Sequence, residues 1–264
     1  IIVINVFIYL LITSAGAYLA FKERLLSQSG ALAACLVGFC VLIGTGWQGF
    51  VILGLFFASS SFFSSYQKHR KKMAEERLAN TSRRNWAQVA ANGGVPSGFS
   101  LAYAFTFNEI FLYAFVVSIA AAAADTWASE LGVLSKGAPV KITNLKRCTP
   151  GTSGAVSIFG TAASAAGAIF ISSAAVLLFN LSLPVFLMIS VYGFLGSAAD
   201  TLLGAFVQVE YRCPACGVLT ERREHCGQGT DHTSGVSWFN NEAVNISSIL
   251  IVSFLCIITS WYIT

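Results

Sequence analysis

Long apolar runs separated by short polar stretches set the pattern of this chain. Ile1–Phe21 is apolar throughout and closes on Lys22-Glu23-Arg24. Ala31–Phe63 is a second, unusually long run of 33 residues, interrupted only by Gly44-Thr45-Gly46. A membrane-crossing helix needs about 20 apolar residues, so this stretch is awkward for two ordinary spans. Two short tilted helices or a re-entrant pair are the two readings. Pro96–Phe107 and Ile110–Ala124 form a hairpin through Asn108-Glu109, and Ala155–Phe179 and Pro184–Ala199 form another. Val244–Ile263 is the last span. The pattern predicts an all-α, polytopic transmembrane helical bundle of six to eight spans, one integral membrane unit over residues 1–264. None of the runs alternates strictly, which argues against a membrane β-barrel.

Composition agrees. The chain is 55% hydrophobic and 11% charged, with mean hydropathy +0.70, against about a quarter charged in soluble domains. The net charge of +4 is concentrated in loops, which speaks against nucleic acid as a partner. Lys68, His69, Arg70, Lys71, Lys72 and Arg77 fall in loop 64–84, and Lys136, Lys141, Lys146 and Arg147 in loop 133–150. With the polar stretch 209–243, these loops share one face if each hairpin crosses twice. The positive-inside rule makes that face cytoplasmic.

Against this background two aspartates stand out. Ala-Ala-Asp125-Thr126 ends one apolar run and Ala-Ala-Asp200-Thr201 ends another, 75 positions later. A charge at the centre of a spanning helix costs roughly 2.5–3.5 kcal/mol even on insertion scales. The repeated motif suggests an internal repeat of polar loop, helix out and helix in, with the acids of both halves facing one interior site. Glu130 lies five positions after Asp125, about 140° around a regular helix. Asn241, Glu242 and Asn245 open the last span. Such hard oxygen donors suit Mg²⁺, although Asp and Asn near helix ends also serve as caps.

Anion-binding candidates surround these acids. Arg83 and Arg84 precede a stripe of amides, Asn85, Gln88 and Asn92, which share a helical face. Lys141, Lys146 and Arg147 lead into Pro150-Gly151-Thr152-Ser153-Gly154. This glycine and hydroxyl run precedes an apolar helix predicted from Ala155, whose N-terminus would favour phosphate. It is not a Walker A loop.

Cys213-Pro-Ala-Cys216-Gly217 followed by His225-Cys226-Gly227 has the spacing of a zinc knuckle. Cys213, Cys216 and Cys226 are three ligands, with His225 or His232 as the fourth. Adjacent residues chelate awkwardly, which favours His232 slightly. A closed four-ligand site of this kind would be structural. Ser/His/Asp hydrolysis has no support, since all three histidines lie in polar loops and no G-x-S-x-G occurs.

Arg83–Gly94, Asp125–Gly132, Pro150–Ser157, Asp200–Gly204 and Cys213–Asn245 together resemble a family of integral membrane proteins first catalogued as a domain of unknown function. That family includes the plant phytyl-phosphate kinase of tocopherol synthesis. The resemblance covers roughly residues 5–260. It implies phosphoryl transfer from a nucleoside triphosphate, CTP or ATP, to a membrane-embedded prenyl monophosphate, giving the diphosphate. The resemblance itself assigns no residue roles; read from the residues, Asp125, Asp200, Glu130 and Lys146 are expected at the catalytic centre of such a reaction. The amides, arginines and glycine loop are expected around the phosphates. A lipid-phosphate nucleotidyltransferase, or a transporter of a phosphorylated lipid or divalent ion, would use many of the same parts.

Overall fold

The computed structural model describes residues 2–67 and 83–262; the basic run Lys68–Arg77 lies outside them. Among the described residues there are seven helices: α1 (Ile2–Lys22), α2 (Gln28–Ser65), α3 (Trp86–Thr106), α4 (Glu109–Gly132), α5 (Ile158–Phe179), α6 (Leu183–Phe206) and α7 (Asn241–Ser260). All but α3 are long and apolar enough to cross a membrane. Eight short strands, β1 to β8, occupy the loops after α4 and α6.

The 33-residue apolar stretch resolves at Gly46. A straight 38-residue helix would be about 57 Å long, nearly twice a bilayer core. Gly46 instead takes φ 70°, ψ −163°, a conformation that disfavours any side chain, and the chain reverses there. Arg84 marks the reversal, because its backbone bonds to Leu25 and Ser27 beside the start of α2. Its guanidinium Nη1 meanwhile donates to Ser61 Oγ near the end of α2, at 3.1 Å. Both ends of α2 therefore lie at one end of the bundle, and the seven helices make eight passes through it.

Helix α4 is the hub. Residues 112–124 are all buried, enclosed by α2, α3, α5, α6 and α7. Small side chains let the neighbours approach, as lipid offers no hydrophobic drive to hold helices together. A Cβ on Gly196 would meet Ala121 Cβ at 2.4 Å, one on Gly193 would meet Ala120 Cβ at 2.8 Å, and one on Gly167 would meet Ala123 O at 3.0 Å. Buried hydroxyl pairs tie the passes together: Ser118 to Ser253 at 2.8 Å, Ser172 to Ser190 at 2.6 Å, and Thr45 to Ser100 at 3.1 Å.

Helix α3 absorbs Pro96 in its interior. Ser97 Oγ donates to Gly93 O at 2.7 Å, next to the Asn92 carbonyl that the proline leaves without its helical donor. The helices bearing Asp125 and Asp200 both run toward the end that holds the polar loops.

These loops contain regular structure. β1 (Val140–Lys141) pairs with β2 (Lys146–Arg147) and β3 (Ala155–Val156). β4 (Glu210–Arg212) pairs with β5 (Leu219–Thr220) and β8 (Asp231–Ser234), while β6 (Glu224–His225) pairs with β7 (Gln228–Gly229). Helix α5 therefore begins at Ile158, capped by Ser157, whose Oγ accepts from Gly160 N at 3.1 Å. The predicted start at Ala155 is displaced because residues 155–156 join the sheet. The glycine loop consequently does not sit on the helix N-terminus, and the dipole argument for it fails.

The close packing on α4 makes a stability prediction. Gly196→Val should destabilise the detergent-solubilised protein by about 1–3 kcal/mol, the usual cost of overpacking. Gly98→Ala, exposed on α3 with nothing within 4 Å of the new Cβ, should be neutral or slightly stabilising. Thermal unfolding of the two variants side by side checks this.

Candidate functional site

The two aspartates, 75 positions apart in sequence, meet in space. Their carboxyl groups lie within hydrogen-bonding reach of each other. Ser248 of α7 donates to Asp200 Oδ2 at 3.3 Å, so α4, α6 and α7 converge on the pair. Local geometry repeats between the motifs: Thr126 Oγ1 bonds to Ala122 O at 2.8 Å, and Thr201 Oγ1 to Ser197 O at 2.9 Å. Each threonine turns back on its own helix one turn earlier, which leaves the aspartates to face inward.

Both aspartates line a cavity of about 820 Å³. Its apolar reach runs between α1 and α2, past Ala17, Val37, Phe50, Leu53 and Phe57. Its polar end holds the aspartates, Glu130, Arg84, Gln88, Asn92, Asn241, Asn245 and the loop Gly151–Gly154. Glu130 accepts a hydrogen bond from Ser64 Oγ. Arg84 lies over the Phe57 ring, 5.3 Å from its centroid. Burial lowers the pKa of the Arg84 guanidinium from its usual value, and the negative charge of Glu130 partly offsets this.

The glycine loop reaches this cavity by pressing on α6. Gly154, at φ +72°, has Ala205 where its Cβ would be, at 2.4 Å from Ala205 Cβ. Gly204 and Ala205 occupy the place that corresponds to Glu130 in the first motif. Their small size is what admits the loop.

Other predicted residues lie elsewhere. Asn85 caps α3: its Oδ1 accepts from Gln88 N at 3.1 Å, and Gln88 Oε1 accepts from Asn85 N at 3.0 Å. This capping box occupies the Asn85 side chain, and Asn85 does not line the cavity. Arg83 is exposed outside it. Lys146 and Arg147 are exposed on β2, an edge strand of its sheet, and neither lines the large cavity. Lys141 lines an adjoining cavity of about 260 Å³ with Thr149, Glu210 and Glu221, and Gly151, Thr152, Ser153 and Glu221 line both it and the large cavity. Glu242 sits in the first turn of α7, where a carboxylate complements the helix dipole, and does not line the large cavity.

The sequence pattern of this chain matches the family described as Integral membrane protein DUF92 over residues 11–253. The chain belongs to that family. It is 34% identical to the uncharacterized membrane protein MJ0933 of Methanocaldococcus jannaschii, over 78% of this chain and 84% of that one. It is 30% identical to Protein PGR of Arabidopsis thaliana, over 96% of this chain and 95% of the relative. Protein VTE6, chloroplastic, also from Arabidopsis thaliana, is 24% identical over 90% of this chain and 66% of its own. No solved structure matches.

This DUF92 protein has cavity residues that pattern alone did not reveal. Gln208 is only 7% exposed, and its Nε2 is buried without a hydrogen-bond partner; Ser164 Oγ is likewise buried and unpartnered. Both line the large cavity, so both have donors available to an occupant. Glu221 lines it as well and accepts from Ser153 Oγ at 2.8 Å. It comes from the cysteine-bearing loop, and only the packing of that loop on the glycine loop brings it in.

In the cysteine loop, the ligand atoms of Cys213, Cys216, His225 and Cys226 lie within 4.8 Å of one another. His232, slightly favoured by sequence spacing, lies outside this cluster. Its Nε2 lies 3.1 Å from Gly235 O, and its ring meets Tyr211 edge-on at 5.9 Å. His225 can neighbour Cys226 in the cluster because Cys226 and Gly227 form a two-residue hairpin turn with φ of 53° and 76°. This left-handed turn brings both side chains to one side. Burial raises the Cys213 pKa, but hydrogen bonds from the Cys216 backbone, His225, the Ala215 backbone and the Cys216 side chain outweigh it and hold the thiol at about 6. Cys226 is pushed up to about 11, first by its contact with Cys216 and then by burial.

The capping role of Asn85 is separable from ligand binding. Asn85→Ala should cost about 1 kcal/mol of stability, whereas Asn85→Ser should recover most of it. Thermal unfolding of the two variants is the check. Equal losses from both would argue that the amide does something a hydroxyl cap cannot.

Proposed function

We propose that this DUF92 protein is a prenyl-phosphate kinase, transferring the γ-phosphoryl group of a nucleoside triphosphate to a membrane-embedded prenyl monophosphate. The observation that carries this reading is the charge inventory of the cavity. Among the described residues, its lining includes four carboxyl groups, Asp125, Glu130, Asp200 and Glu221, and one guanidinium, Arg84. Anionic phosphates cannot settle against such a surface directly. A divalent cation between acids and phosphates would reconcile the two.

The donor set fits Mg²⁺, which favours hard oxygens and keeps one or two carboxylates plus water and substrate phosphate. Asp125 and Asp200, brought together from α4 and α6, would hold it, with the amides of Asn241 and Asn245 nearby. When bound, it would neutralise charge on the transferring phosphoryl group. Two carboxylates in contact away from bulk water also require such compensation.

The chain's own residues supply position. Arg84, anchored on Ser61 and Phe57, would contribute its positive charge to the cavity that the glycine loop also lines. Gln208 and Ser164 offer donors to phosphate or ribose oxygens. The acceptor is a phosphate oxygen, already ionised at neutral pH. It forms a bond to the γ-phosphorus as the bridging bond to the β-phosphate breaks, and the nucleoside diphosphate leaves. No general base is needed, which accords with a cavity lined by no histidine among the described residues. The apolar reach between α1 and α2 takes the prenyl tail. In this reading the polar end faces the cytoplasm.

The direct test incubates lipid-reconstituted protein with phytyl and geranylgeranyl monophosphate and each nucleoside triphosphate. Prenyl diphosphate and nucleoside diphosphate should form together; pyrophosphate release would identify a nucleotidyltransferase instead. Asp125→Asn and Asp200→Asn should each lower turnover by about 10² or more while preserving the unfolding temperature. Lys146→Ala and Arg147→Ala should leave turnover near that of the unaltered protein. Magnesium removal should abolish the reaction, and replenishment should restore it. Diphosphate formation that survives both aspartate substitutions would refute the assignment.

A further inference from the structure

The loop between α6 and α7 carries a second constellation, independent of the aspartates. Cys213 and Cys216 flank a tight knuckle in which Gly217 N bonds to Cys213 O at 2.8 Å and Cys213 N to Val218 O at 3.0 Å. Gly217 turns the knuckle at φ 71°. His225 and Cys226 come from the tip of the facing β6–β7 hairpin. Here Cys216 Sγ is 3.5 Å from His225 Nδ1, and Cys226 Sγ is 3.2 Å from the same atom. A tetrahedral ion bonded to sulfur at about 2.3 Å and to nitrogen at about 2.0 Å places its ligand atoms roughly 3.5–3.8 Å apart. These two distances are close to that, and all four ligand atoms lie within 4.8 Å of one another.

The loop's construction calls for a cross-link. Its strands are two to four residues long, and most of residues 221–238 are exposed. So little buried surface does not hold two hairpins together on its own. The cysteines are free thiols, with no disulfide to do it. An ion bound at the two tips would clip β4–β5 to β6–β7.

We infer that Cys213, Cys216, His225 and Cys226 form a closed S₃N site for one zinc ion, and that this ion positions the loop carrying Glu221 over the polar cavity. Glu221 directly follows β5 and accepts from Ser153, so the clip reaches the glycine loop through one residue. Zinc takes three thiolates and one imidazole as a standard tetrahedral set, whereas iron–sulfur clusters are held mostly by four cysteines or by two cysteines and two histidines. Four protein ligands leave no open position, so the ion is structural. The inference does not depend on which reaction the cavity performs.

The full chain, purified in detergent under reducing conditions, should retain about one zinc per molecule, as expected for one four-ligand site. Replacement by Co²⁺ should give thiolate-to-cobalt charge transfer and tetrahedral d–d bands. Cys226→Ser should lose these bands, and His232→Ala should keep them. Trypsin should cleave at Arg222 and Arg223 about tenfold faster or more once the metal is removed from the unaltered protein, since cleavage follows the open population. Three reactive thiols with no zinc, or His232→Ala erasing the cobalt spectrum, would overturn the site. Unchanged cleavage after metal removal would overturn the clip. Because the unaltered protein alone answers the first and third measurements, a misfolded variant cannot obscure the result.

Discussion

Two carboxyl groups held in contact at one end of a helical bundle are the constraint from which the rest follows. Two like charges in a poorly solvated setting repel strongly, so acids this close share a proton or a cation, and the helices must be held where the acids cannot move apart. Gly193 and Gly196 against Ala120 and Ala121 provide that rigidity. They bring the backbones of α4 and α6 close enough that Asp125 and Asp200, one turn further on, must face each other. The run of small residues ahead of each aspartate is thus part of the site as well as of the core. The electrostatic cost is local, and burial along α4 offsets it.

A cavity with this shape joins two solvents. Its apolar reach lies between helices that expose many large hydrophobic side chains, among them Phe7, Leu11, Leu19, Leu32 and Leu36, as expected of lipid-facing surfaces. Its acidic end opens beside polar loops with regular hydrogen bonding. A molecule with a long hydrocarbon tail and a phosphate head matches both ends at once; a wholly soluble substrate would leave the apolar part unused. Phosphoryl transfer to such a head asks mainly for position and charge compensation, which rigid helices and an acidic pair can supply.

Much of this was legible in the chain. A carboxylate in an apolar run is conspicuous because hydropathy makes it costly, so Asp125 and Asp200 could be paired before their geometry was known. The bundle followed from run lengths for the same reason. What stayed hidden depended on the loops. Lys146 and Arg147 looked like phosphate ligands by proximity in sequence, yet two-residue strand pairing turns them to solvent. Asn85 read as part of a polar stripe, but its position just before a helix with glutamine three residues on is also a capping-box pattern, and the cap is what forms. His225 was disfavoured by adjacency, an argument that holds for regular backbone and fails at a left-handed turn. Gln208 and Glu221 carried no pattern at all. Gln208 follows directly on the end of α6, and Glu221 reaches the cavity only through contact between two loops.

The division of charge in the fold also orders the alternatives. The predicted basic candidates of loop 133–150 lie outside the large cavity, and the acids lie within it. Basic side chains placed this way can orient the protein in the membrane without touching its ligands. A transporter of an anion would need the opposite arrangement, with cationic groups along the path. A carrier of free divalent ions would accept the acids but has no use for a wide apolar chamber beside them. Acids, an apolar chamber and a glycine loop together suit a cation that serves a lipid phosphate. On the proposed function, a cation is what would allow an acidic cavity to hold anionic substrates, and the apolar chamber would determine which of them stay.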